Sequence, residues 1–112
     1  MRIIRIIVVE TGRAFMQVMC ASKFFDGIAP YIGDCVEELA EEGHTVILST
    51  CTAQLIGCPL TCNLTLADNT IVPIFGNAVF VGCDPSGLYE SLTDAEIRTW
   101  LVRLEAALSE QG

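Results

Sequence analysis

Six cysteines, one histidine and an excess of carboxylates are the side chains through which this chain could do chemistry. Cys58 and Cys62 form a close thiol pair, C-x3-C with Pro59 between them, while Cys20, Cys35, Cys51 and Cys83 stand apart. A structural zinc site takes four ligands, so this pair would need a second Cys or His pair at matching spacing, and the sequence has none. His44 is the sole imidazole, and no spacing ties it to a Cys or Ser that it could activate. Gly76-Asn77 precedes a predicted strand, and Gly82–Gly87 lacks the Lys-Ser/Thr or G-x-G-x-x-G pattern of a phosphate loop. Paired carboxylates occur everywhere in so acidic a chain and single out nothing. The chain reads as non-enzymatic, without catalytic residues, metal or cofactor.

The carboxylates carry the alternative to catalysis. Glu37, Glu38, Glu41 and Glu42 follow Asp34, which reads as a helix N-cap with Glu37 at N3, and Gly43 reads as the C′ residue. That predicts a helix over Cys35–Glu42, with Val36, Leu39 and Ala40 on its apolar side. Positions three and four apart share a side of a helix, so Glu38, Glu41 and Glu42 form a negative ridge. These four glutamates are the candidate partner-binding residues. With 14 acidic and 6 basic residues, the formal charge is −8. Such a charge argues against direct binding to nucleic acid or anionic lipid and favours a partner with a basic surface.

The elements that position these groups follow from the pattern. At 112 residues the chain is long enough for one domain with its own core. Ile3–Val9 is dense in β-branched residues and reads as a strand, with Thr11-Gly12-Arg13 as a turn. Phe15–Phe25 fits either state, a strand leading away from a hairpin somewhat better than a helix. Asp26-Gly27 and Ala29-Pro30 read as punctuation. His44–Cys51 is a strand, Thr52–Asn63 a compact connection ending in a short helix or turn near Leu60–Leu64, and Ala67–Thr70 a hairpin-like turn. Pro73 limits its strand to an edge or a start. Ala78–Val81, an apolar run between glycine-rich turns, reads as a strand buried on both faces. Thr93-Asp94-Ala95-Glu96 is a capping box. It opens a helix to about Leu108, with Ile97, Trp100, Leu101, Leu104 and Leu108 on one side. The expected fold is a single α+β domain over residues 1–112: a mixed, largely antiparallel sheet with the C-terminal helix packed on one face. The Ile-rich opening, broken by Arg5, falls far short of the roughly 20 apolar residues of a membrane span. It also lacks the features of a signal peptide. A cytoplasmic location follows as the expectation, and with it reduced, mostly buried cysteines.

Three stretches resemble a bacteriophage and mobile-element family known as domain of unknown function 3846. Ile28–Asp34 (IAPYIGD) is similar to its motif around Gly-Tyr-Ile-Glu. Ala53–Asn63 (AQLIGCPLTCN) is similar to its Leu-x-Gly-Leu-Pro-x-Asn turn, through Gly57, Pro59 and Asn63. Ile74–Asp94 is similar to its Ile-x-Gly-Thr-x-x-Ile-x-Gly strand and Ser-Leu-Thr-Asp, through Gly76, Val79, Gly82, Ser91, Leu92, Thr93 and Asp94. The sequence departs where the family has Pro-Gly-Lys-Pro after the first strand; Thr11-Gly12-Arg13-Ala14 stands there instead. The resemblance implies a phage or prophage accessory protein in a bacterial host, and no activity. Two functions suit such a protein. The first is a counter-defence inhibitor that binds a host defence protein, such as a CRISPR effector, stoichiometrically through its acidic surface. The second is a homo-oligomer that sequesters a nucleotide immune signal. A metal or redox module on Cys58 and Cys62 ranks third.

Overall fold

The computed structural model describes residues 2–50 and 57–111. Ile3–Glu10 (β1) turns at Thr11-Gly12 and returns as Arg13–Cys20 (β2), with Gly12 at φ 84°. A 3-10 turn at Ala21–Lys23 leads into Phe24–Ile32 (α1). Then come Val36–Glu42 (β3), Thr45–Thr50 (β4), Leu60–Thr65 (β5), Ile71–Phe75 (β6), Ala78–Cys83 (β7), Tyr89–Glu90 (β8) and Asp94–Gln111 (α2). The main sheet runs β2-β1-β7-β4-β3, with β8 paired to the end of β7. Each described pairing is antiparallel. The expected α+β fold is the one observed, with 3–9, 45–49 and 78–81 in one sheet.

Strand β7 lies at the middle of that sheet, and alternation sends its side chains to two cores. Val79 and Val81 join Ile4, Ile6, Val8, Val46 and Leu48 beneath Phe24, Ile28 and Ile32 of α1. Ala78 and Phe80 join Ile7, Val9 and Ile47 beneath Trp100, Leu104 and Ala107 of α2. The separate β5–β6 hairpin closes this second core with Cys62, Leu64, Val72 and Ile74. The Phe80 and Trp100 rings meet edge to face, with centroids 4.9 Å apart. Helix α2 starts as expected: the Thr93 amide donates to Glu96 Oε1 at 2.8 Å, and the Glu96 amide donates to Thr93 Oγ1 at 3.1 Å.

Three expectations are corrected. Residues 36–42 are strand β3, not a helix. Gly43 has φ 58°, the left-handed conformation needed both by a helix C′ residue and by the tight β3–β4 hairpin. Pairing with β4 from Val36–Thr50 to Glu42–Thr45 overrides the intrinsic helical preference of the glutamates, as tertiary context routinely does. Residues 60–64 belong to strand β5 rather than to a short helix or turn. Phe15–Phe25, where a strand is favoured throughout, is strand β2 only to Cys20; a helix begins at Phe24 and runs through the expected punctuation. Its buried stripe, Phe24, Ile28 and Ile32, has helical spacing. Pro30 falls in its last turn, just before Gly33 closes it by donating to the Ala29 carbonyl at 2.8 Å. Gly27 leaves room for Met19 of β2; a Cβ there would stand 2.9 Å from Met19 Sδ. The hairpin turn at Ala67–Thr70 is observed, with Asn69 at φ 69°.

Candidate partner-binding edge and the His44 network

Strand β3 forms one edge of the main sheet, hydrogen-bonded on one side to β4. A register shift between Glu38 and Ala40 places Glu38 opposite Leu48 and Glu41 opposite Val46. Leu48 and Val46 both belong to the core under α1, and side chains opposite one another share a face. The bulge therefore returns Glu38 and Glu41 to one side, a relation the sequence reading had drawn from a helix. Glu37, Glu38 and Glu41 are exposed and have no hydrogen-bond or ion-pair partner among the described residues.

Glu42 is placed differently. It points toward α2, where Arg103 Nη1 donates to Oε2 at 2.7 Å, Arg103 Nη2 to Oε1 at 3.2 Å, and the Ala67 amide to Oε1 at 2.7 Å. The Arg103 bonds, with the Ala67 amide, hold its carboxyl below the usual range against the pull of partial burial. Arg103 also donates to the Thr65 carbonyl at 2.8 Å and lies 4.1 Å over the Trp100 ring. Glu42 thus ties β3 to α2 and to the Leu66–Thr70 turn, and it is spent on the fold. The sequence reading missed Asp84, whose charge, with those of Glu38, Glu41 and Glu90, acts on the Cys83 thiol. Burial first, then these carboxylates, push that thiol up. Only the β3-β4-β7-β8 order brings them together, so no local signal marks the cluster.

His44 sits between two carboxylates. Its Nδ1 lies 2.9 Å from Glu96 Oε2, and its Nε2 lies 3.2 Å from Glu90 Oε1. Partial burial opposes charge on the ring, but the hydrogen bonds and charges of Glu96 and Glu90 outweigh it and raise the pKa. A ring donating from both nitrogens has no lone pair with which to accept a proton. Thr45 Oγ1 donates to Glu96 Oε2 at 3.4 Å and accepts from Trp100 Nε1 at 2.9 Å, extending the network into the core. A cavity of about 310 Å³ opens beside it, lined by His44, Glu96, Thr99, Trp100 and Arg103.

Of the thiols, Cys62 is buried, and burial pushes it up, while Cys20, Cys58 and Cys83 are half-buried and free. Cys35 is disulfide-bonded, which corrects the expectation that every cysteine is reduced. Cys51, with the Ala53–Ile56 part of the motif read from sequence, lies outside the described residues. No group of three or more His, Cys, Asp or Glu among the described residues is arranged to hold a metal ion. No helix there is long and apolar enough to cross a membrane. In comparisons with known proteins, the chain matches no family model, no curated protein and no solved structure.

Proposed function

We propose that this protein acts without catalysis, by binding a partner with a basic surface through the acidic edge of its sheet. The observation that carries the reading is the division of labour along β3: Glu42 is committed to Arg103, while Glu37, Glu38 and Glu41 stand exposed and unpaired among the described residues. Opposed charge accelerates encounter and fixes orientation. An edge strand also offers backbone groups that can pair with an extended segment of a partner. The resemblance to the phage family supports a host defence protein as that partner, such as a CRISPR effector, whose nucleic-acid groove the carboxylates block.

The test is a Glu37→Lys/Glu38→Lys/Glu41→Lys variant measured for association with a candidate effector across a salt series. Circular dichroism should match the parent, because these side chains are exposed and uninvolved in the fold. Association should slow at low salt, and its salt dependence should flatten. A folded triple variant that inhibits as well as the parent sinks the proposal.

A further inference from the structure

Cations are scarce in this chain, and three of the six are consumed: Arg5 pairs with Asp94, Arg13 with Glu10 and Arg103 with Glu42. Arg2 and Lys23 have no carboxylate partner among the described residues, and they converge on one corner. Both line a cavity of about 330 Å³ together with Ser22, Phe25, Leu88 and Tyr89. Arg2 is oriented by donating from Nη2 to the Tyr89 carbonyl at 2.9 Å, which leaves further guanidinium donors for a ligand. The aromatic wall is well defined: Phe25 and Tyr89 meet edge to face at 5.9 Å, and Phe24 backs Tyr89 at 5.1 Å. Phe25 is nevertheless 57% exposed and Leu88 61%, an apolar surface that no part of the described fold covers. A second cavity, of about 530 Å³, is also lined by Arg2, Ser22 and Lys23, with Cys20 and Ala21.

We propose that this corner is a binding site for a nucleoside monophosphate. The base lies on the Phe25–Tyr89–Leu88 wall, and the phosphate is held by Arg2, Lys23 and the Ser22 hydroxyl. Flat apolar rings beside paired cations suit a ligand with one aromatic end and one anionic end, and neither inorganic phosphate nor a bare base uses both. Asp26, on the same rim, accepts from a base amino group and disfavours longer, more highly charged phosphate chains. The site shares no residue with the acidic β3 edge, so either can exist without the other.

The experiment is a titration of ¹⁵N-labelled full-length protein with AMP, adenosine and inorganic phosphate, followed by amide chemical shifts. AMP should move the signals of residues 21–26, 88 and 89, and should saturate at lower concentration than adenosine or phosphate. Lys23→Gln and Phe25→Ala should each weaken AMP by about tenfold, the factor one lost stacking or charge-assisted contact carries. Arg98→Gln, a cation away from this corner, should leave it unchanged. Because Lys23 and Phe25 are exposed, the spectra of both variants report directly whether the fold persists. Absence of AMP-dependent shifts, equal binding by the variants, or phosphate binding as tight as AMP each overturns the proposal.

Discussion

The His44 ring occupies the space left by the missing side chain of Gly82: a Cβ on Gly82 would stand 2.3 Å from His44 Cε1. Relief is blocked, since the ring is held by Glu96 and Glu90, and the Glu90 carbonyl would itself lie 2.9 Å from the new carbon. Gly82→Ala should therefore destabilise the protein by about 1–3 kcal/mol, the usual penalty of overpacking. The check is chemical denaturation of Gly82→Ala, His44→Ala and the double variant. If the two residues compete for one space, the double variant should be less destabilised than the sum of the singles. Additive losses would show that the space is not shared.

The same imidazole sets a pH dependence. The folded pKa of His44 is raised above its ordinary 6.5, so its contribution is full below 6.5 and disappears as pH rises through the higher folded value. Glu96 runs the other way. Burial opposes its charge, but the Thr93 amide and His44 outweigh burial and lower its pKa below 4.5; its contribution is present above that value and fades in more acid solution. Both act together between 4.5 and 6.5. Urea midpoints measured from pH 4 to pH 9 should decline on the alkaline side in the parent, and His44→Gln should remove that decline. A parent and variant with parallel profiles would contradict it.

Glu42 and Glu41 are neighbours in sequence with opposite roles. Glu42→Gln weakens a bidentate bond to Arg103 and should lower stability by about 1.5–3 kcal/mol, the range for hydrogen bonds to charged groups. Glu41→Gln should change stability by no more than about 0.5 kcal/mol, as for other exposed sites. Thermal denaturation of the two variants decides the matter, and equal losses would place Glu41 in the fold.

Phe80→Asp puts an unpaired carboxylate between β7 and Trp100, where the native ring is fully buried. A loss of several kcal/mol is expected, comparable to the whole stability of a small domain. Val79→Asp does the same to the core under α1. Expression of soluble Phe80→Asp protein with a cooperative melt would remove β7 from the centre of the fold.

How much of this the sequence announced depended on the range of the interaction. The β7 run and the Thr93–Glu96 cap are local patterns, and each was readable because its meaning does not depend on distant residues. Strand β3 was not, since Gly43 at φ 58° suits a helix end and a hairpin alike, and the choice rests with β4. Helix α1 was hidden by Gly27 and Pro30; the first is there to admit Met19, a contact invisible along the chain. His44 looked isolated because Glu90 and Glu96 reach it only after β8 and α2 are in place. The same is true of the Arg2–Lys23 corner, whose apolar residues come from positions 24–25 and 88–89 of the chain.

An unpaired sheet edge invites a second copy of the same strand, and sheets that extend this way grow into fibres. On β3 that approach would set Glu37, Glu38 and Glu41 of one molecule against the like charges of another. The glutamates thus serve as a guard against self-templating whether or not a partner is present. Concentrated salt, which shortens the reach of such repulsion, or neutralisation of the three side chains would lower the guard while leaving the two cores on either side of β7 intact.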